Sequence, residues 1–318
     1  GALAQETATM QPSVVALATR MSGNLYSDLW GANTVDASIR SLLTGYATVA
    51  WSFTGAYGVD GSVVTDFMTE DDARGNRTYT LTLAENLTYN DGTPITAADY
   101  AFTALLQSDP AIPALGGQNT SFSYVQGYAK YAAGKIGVLT GLRLLSPYRL
   151  SITVPANALP YFYELTYALL TPTPIGVLAP GYAVYDNGNG AFLGKTGESN
   201  PAAPGASPLT VDLLSQTLTA PDGYLHQPRV TSGPYQLLAY DPETASATLS
   251  INPRYAGNAE GRKPELATVQ IVQMDSVSAL SALQAGQVQM IHNITNPDVV
   301  DAARQQNADG KLNLGNHL

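Results

Sequence analysis

Two acids, an asparagine and two threonine hydroxyls crowd into Tyr89-Asn-Asp-Gly-Thr-Pro-Ile-Thr-Ala-Ala-Asp99, between a strand-like run and a helix-like run. A calcium loop needs alternating acids closed by a bidentate glutamate. Here Asp91 stands beside Gly92 and the next acid is Asp99, so that spacing fails. The pattern fits a corner better. Asn90-Asp91-Gly92 is a turn signal, and Thr96 with Asp99 has the T-x-x-D form of a capping box opening a helix.

Other reactive patterns fare no better. Gly194-Lys195-Thr196 echoes a phosphate loop, but Asn189 occupies the position of its first glycine, and the residues that follow cannot open a helix. His226, His292 and His317 are scattered and form no H-E-x-x-H pair, so no metal or other cofactor is expected. Neither a G-x-S-x-G elbow nor a dinucleotide fingerprint is present. A glycosidase carboxylate pair is spatial and leaves no mark in sequence. The triplets at Asn76, Asn86, Asn119 and Asn293 match N-x-[ST], as chance allows in a chain rich in Thr and Asn.

Composition narrows the class. The chain has 318 residues, 45% of them hydrophobic, which suits about two globular domains. Its net charge is −10, with only 13% charged residues and no basic block, so no nucleic-acid partner is expected. No apolar run is long enough for a membrane span. With no cysteine there are neither disulfides nor thiolate chemistry. The polar surface falls to Ser, Thr, Asn, Gln and Gly, with 19 Tyr against 6 Phe, a balance common among secreted proteins. Ala2-Leu3-Ala4 fits the residue pattern beside a signal-peptidase cut, and fits a cloning remnant equally.

The elements follow from periodicity. Val14–Ala18 reads as a strand ending in the turn Ser22-Gly23-Asn24, and a helix through Ile39, Leu42 and Leu43 has Asp36 as its cap. Tyr79–Leu83 alternates as a half-buried strand, and Ala97–Gln107 reads as a helix. Ser121–Ala133 also reads as helical, weakened by Gly127. Leu142–Leu145 and Arg149–Val154 flank a hairpin turn. Asp186–Pro208 is turn-rich and reads as a long surface loop, or else a flexible linker. Ser232–Leu238 and Ala247–Ile251 pair as antiparallel strands. Ala267–Met274, a capping Asp275, Ser276–Ala285, Gly286 and Gln287–Ile291 make a β-α-β unit. The class is α/β or mixed α+β.

The corner also carries a resemblance. YTLTL followed by Ala84-Glu-Asn-Leu-Thr-Tyr-Asn-Asp-Gly-Thr-Pro-Ile-Thr-Ala-Ala-Asp99 resembles the signature of family 5 extracellular solute-binding proteins, the oligopeptide- and dipeptide-type receptors of ABC importers. Thr231-Ser-Gly-Pro-Tyr-Gln-Leu237 is similar to their "G-t-G-P-Y-x-l", and Ile251-Asn-Pro-Arg-Tyr255 to "x-N-p-x-Y". Ala279–Met290 is similar to "a-l-x-a-L-x-a-G-e-v-D-i", with Gln289 where the acid usually stands.

The resemblance implies a periplasmic-binding-protein-like lobe of type II, with a mixed sheet and flanking helices. Residues 1–45 and 166–290 would form lobe I, 46–165 an extra subdomain, and 291–318 the start of a second lobe largely missing. The chain would then be a fragment, a product of cleavage, or a divergent short form. It implies an extracytoplasmic, monomeric, non-catalytic receptor that closes on a peptide or small polar solute and delivers it to a membrane permease. Nickel chelates, oligosaccharides or signalling peptides are alternative ligands. The implied cleft-lining residues are Asn24, Tyr26, Trp30 and Asn33, with Tyr124, Tyr161 and Tyr163 from the subdomain and its return to lobe I. From other classes, a secreted carbohydrate hydrolase using two carboxylates and an exported structural module stay open.

Overall fold

The computed structural model of the chain describes residues 11–52 and 54–310, so Ala2-Leu3-Ala4 and His317 lie outside the described residues. The chain opens with β1 (Ser13–Leu17) and α1 (Thr34–Leu43). A hairpin of β2 (Val49–Trp51) and β3 (Tyr57–Val59) precedes β4 (Val64–Asp71), β5 (Arg77–Leu83) and α2 (Ala97–Gln107). Then come α3 (Ala111–Ala114), α4 (Tyr128–Ala132), β6 (Val138–Leu139), β7 (Leu142–Ser146) and β8 (Arg149–Val154). Beyond a 3₁₀ turn at Glu164–Ala168 lie α5 (Ile175–Leu178), β9 (Tyr182–Asp186), β10 (Ala191–Lys195) and α6 (Val211–Thr217). The final stretch carries β11 (Tyr235–Asp241), β12 (Ser246–Ile251), β13 (Thr268–Gln273), α7 (Ser276–Gln284), β14 (Met290–His292) and α8 (Pro297–Ala308).

A five-stranded sheet runs β11-β12-β13-β1-β14, with β1 parallel to both β13 and β14 and the outer hairpin antiparallel. Successive residues of a strand face opposite sides, and here both sides are covered. Leu17 packs with Ile39 and Leu43 of α1, while Ala16 packs with Ala279 and Ala282 of α7. The β-α-β unit is built as its sequence predicts, with the Asp275 carboxylate accepting from the Ser278 N–H at 3.0 Å.

Two further sheets, the antiparallel β4-β5-β8-β7 and the three-stranded β6-β10-β9, meet where Arg143 and the Leu144 N–H of β7 bond Asp186 of β9, and both pack against α2. Every residue of the run Ala101-Phe-Thr-Ala-Leu-Leu106 is buried, as befits a helix packed against two sheets, and its one polar side chain, Thr103, bonds Thr171 O. This core takes in Leu81, Phe102 and Ile152, and also Leu178, Leu193 and Leu214. It therefore spans both sides of the boundary at residue 166.

Three expectations are corrected. The α1 cap is Asn33, whose side-chain oxygen accepts from the Val35 and Asp36 N–H groups at 2.9 and 3.0 Å, and Asp36 is turned elsewhere. Of Ser121–Ala133 only α4 is helical. The Gln126 N–H donates to Thr153 O and its carbonyl accepts from the Gly141 N–H, so pairing with the sheet outcompetes the helix there. Within Asp186–Pro208, Ala191–Leu193 is a buried strand segment paired to β9. The irregular remainder lies against the body, with Pro204 and Ala206 packed on Gly137.

Candidate functional site

Parallel strands that end together leave a crevice beyond their carboxyl ends, where α/β proteins bind ligands. The crevice edge here is formed by the ends of β13, β1 and β14, at Gln273, Leu17 and His292. The chain leaving β1 carries four of the expected site residues, and a buried carboxylate shapes its course. Asp36 accepts from the N–H groups of Ser22, Gly23 and Asn24 at 3.0, 3.2 and 3.0 Å, and from the Ser22 hydroxyl. Such charge-assisted bonds to backbone N–H groups are the strong ones. Gly23 suits this turn, with φ +86° in the left-handed region and the Tyr240 ring tip where a Cβ would stand. The Gly23 carbonyl lies 2.8 Å from His226 Nδ1, and because a carbonyl only accepts, Nδ1 carries the hydrogen.

The expected residues on this segment are held in place by their own contacts. Asn24 is buried, with its carbonyl accepting from Arg40 at 2.7 Å. The Tyr26 hydroxyl joins Thr173, which joins Thr103, in a chain of hydroxyls 3.0 and 2.7 Å apart. Burial pushes the Tyr26 phenol up. The cavity beside it, lined by Tyr26, Gln107, Thr171, Tyr224 and Thr231, is about 40 Å³, room for solvent rather than solute. Trp30 donates its indole N–H to Leu115 O at 2.8 Å, and Asn33 caps α1 while donating to Arg20 O.

The other three expected residues belong to a second feature. Tyr124 packs on Tyr167, Tyr167 on Tyr161, and Tyr161 on Tyr163, at centroid distances of 4.6, 5.1 and 6.1 Å. Tyr124, which also meets Phe122 at 6.1 Å, lies toward the inner end of this ladder. The outer end continues through Tyr57 to Trp51, a directly opposed pair of the β2–β3 hairpin. Phe162 flanks it at 89% exposure. Sequence reasoning missed Trp51, Tyr57 and Phe162. The unbroken aromatic triplet Tyr161-Phe-Tyr163, in a chain with 8% aromatics, was the available signal. Among the described residues, no hydrogen bond or ring contact joins this ladder to Tyr26 or Trp30.

The motifs themselves form a seam. Asn90 clasps Thr231: its backbone N–H donates to Thr231 O, and its side-chain oxygen accepts from the Thr231 N–H, both at 2.9 Å. The Asn90 amide also donates to Arg229 O and to Gln236. Asn252 donates to Gly233 O at 2.9 Å, and the Gly233 N–H donates to Leu43 O at 2.9 Å. The corner predicted at Asn90–Gly92 is thus built, and it is also bonded to the second motif. In the capping pair, Asp99 accepts from the Thr96 N–H at 2.8 Å and from its hydroxyl at 3.2 Å.

No group of His, Asp and Glu side chains among the described residues is arranged to hold a metal ion. No helix among them is long and apolar enough to cross a membrane.

A layered α/β lobe with its crevice at a parallel-strand edge is the architecture of a solute-binding protein. The chain belongs to the bacterial extracellular solute-binding proteins, family 5 Middle, whose profile matches residues 62–315. No curated protein matches it. Among solved structures, Burkholderia pseudomallei OppA is similar with a TM-score of 0.60 and 21% identity, over 94% of this chain and 49% of that one. Lactococcal OppA, complexed with an endogenous peptide in the closed conformation, gives 0.63 and 19%, over 89% and 46%. The periplasmic EDTA-binding protein EppA gives 0.63 and 16%, over 94% and 46%. The chain spans about half the length of these structures.

Proposed function

We propose that the chain is the first-lobe portion of an extracytoplasmic receptor that captures peptides, or similar small polar solutes, and delivers them to the permease of an ABC importer. The observation that carries this reading is the crevice edge of β13, β1 and β14, with the Asp36-clamped segment leaving it after β1, in a chain of the solute-binding family. Residues 1–45 and 166–290 then act as lobe I and 46–165 as the extra subdomain, while 291–318 begin the second lobe. Asn24, Tyr26, Trp30 and Asn33 shape the lobe I wall through backbone and ring positions, since Asn24 is held by its backbone and the polar tips of the other three are engaged. Tyr161 and Tyr163, backed by Tyr124, present the open aromatic surface. The receptor works as a monomer, is exported, and catalyses nothing.

Ligand binding is then coupled to closure, because a ligand shifts the receptor only toward the form it binds better. Native mass spectrometry of the full-length protein, with identification of released ligand, tests the reading. A ladder of peptide masses is the expected result. An apo mass that no peptide pool shifts would overturn it, and turnover of a carbohydrate lost on removing one acid would replace it with a hydrolase.

A further inference from the structure

The outer end of the aromatic ladder is built as a corner rather than a platform. Trp51 meets Tyr57 at 78°, Tyr57 meets Tyr163 at 85°, and Tyr161 meets Tyr163 at 75°. Rings that meet near right angles turn several faces toward one space, whereas a sugar stacks on a broad, flat face. The resulting hollow, about 410 Å³, is lined by Trp51, Tyr57, Tyr161, Tyr163 and Thr166. Trp51, Tyr161 and Tyr163 are 57%, 44% and 43% exposed, an open apolar surface among the described residues.

Charge selects the occupant. Among the described residues, no basic side chain lines the hollow or its neighbour, which shares Tyr57 and Tyr163 and adds Glu164. The nearby cation, Arg77, is held by two carboxylates, Asp71 and Glu164, each at 2.7 Å. That triad carries one excess negative charge, in a chain whose net charge is −10. The Arg77 guanidinium, with the Tyr79 hydroxyl, holds the Glu164 carboxyl below its usual range. Ring faces attract cations through their negative quadrupole, and a weakly hydrated cation loses least on leaving water.

We propose that Trp51, Tyr57, Tyr161 and Tyr163 form a subsite for a soft organic cation, an alkylammonium or guanidinium group, with Glu164 as its counter-charge. The subsite uses two residues of the receptor reading but does not depend on delivery to a permease. The cation comes either from a free quaternary ammonium compound or from a basic side chain of a peptide.

Tryptophan indole ¹⁵N NMR on the full chain tests this, because Trp30 and Trp51 give two signals that a Trp51→Phe variant assigns. Choline is expected to shift the Trp51 signal saturably at millimolar concentrations and to leave Trp30 unmoved. The neutral isostere 3,3-dimethylbutan-1-ol should bind about tenfold more weakly. Tyr163→Ala should abolish the shift, and Glu164→Gln should weaken it severalfold, each with the Trp30 signal intact as a reporter of folding. Gly-Arg-Gly binding more tightly than choline, with Gly-citrulline-Gly inert, identifies a peptide side chain as the source; the reverse order identifies free ammonium. No saturable shift, an isostere as good as choline, or cellobiose better than either overturns the proposal. A choline shift in a protein that captures no peptide would defeat the receptor reading alone.

Discussion

Asp36 and Asp109 are both fully buried, and they affect stability differently because of their donors. Asp36 takes four, three of them backbone N–H groups. Asp36→Ala leaves those donors unpaired, at a cost of about 3–5 kcal/mol in a urea titration, the range seen when a buried charged network loses one member. Asp109 accepts from the Ala111 N–H through Oδ1, while Oδ2 makes no well-formed hydrogen bond, although the Ser207 and Tyr131 hydroxyls lie near the carboxyl. Burial pushes its carboxyl up to about 6. A folded-state value above the unfolded one means the folded protein binds the extra proton between about pH 4 and 6. Stability from this group is full below that window and is lost as pH rises through it, by up to roughly 3 kcal/mol. Asp109→Asn should therefore gain stability relative to the parent at pH 7 and lose that gain near pH 4. Urea midpoints at the two pH values check this, and a pH-independent difference would contradict it. Asp99, also pushed up to about 6 by burial, adds a slope of the same sign that the variant leaves in place.

At the scale of elements, the seam between the corner, β11 and α1 does the joining. A Cβ on Gly233 would stand 2.4 Å from Leu42 O and from the Leu43 carbonyl carbon, backbone atoms that cannot swing aside. Gly233→Ala should cost about 3 kcal/mol, the upper end for overpacking, and Asn90→Ala about 2–3 kcal/mol for its lost bonds. Both are read as shifts in denaturant midpoint. This seam explains what was legible in the sequence. β5, α2 and the β13-α7-β14 unit carry their periodicity and caps locally, so their existence could be read directly. The partners of Asn90 lie some 140 residues away, and no local signal reaches that far. The α1 cap was misplaced for a related reason. Asn33, Thr34 and Asp36 are all capping residues, and the choice was made by the distant turn at Ser22–Asn24, which claims Asp36. β10 was hidden because Gly190 and Gly194 frame its short apolar run like a loop, and its buried place comes from β6, β9 and α2, none of them local to it in pattern. The site was less legible still. Tyr161 and Tyr163 stood out as aromatics, but Trp51 and Tyr57 join them only through hairpin register.

For the molecule as a whole, the two candidate surfaces carry different shares of binding. The crevice edge offers backbone and ring positions on one wall, and the polar tips of Tyr26, Trp30 and Asn33 are already paired within the chain. The aromatic corner is open and is formed by the β2–β3 hairpin and residues 161–166 together. In a receptor that closes on its ligand, most contact area and exclusion of water come from enclosure by both lobes. Under the receptor reading, a peptide that binds the full-length protein at micromolar concentration should bind this 318-residue chain at least about 100-fold more weakly. The organic-cation subsite should keep its affinity in both, because every group it uses lies between Trp51 and Thr166. Calorimetric titration of the two proteins with one Arg-containing peptide and with choline separates the two contributions. If the shorter chain holds the peptide as tightly as the longer one, enclosure contributes nothing and the two-lobe account fails.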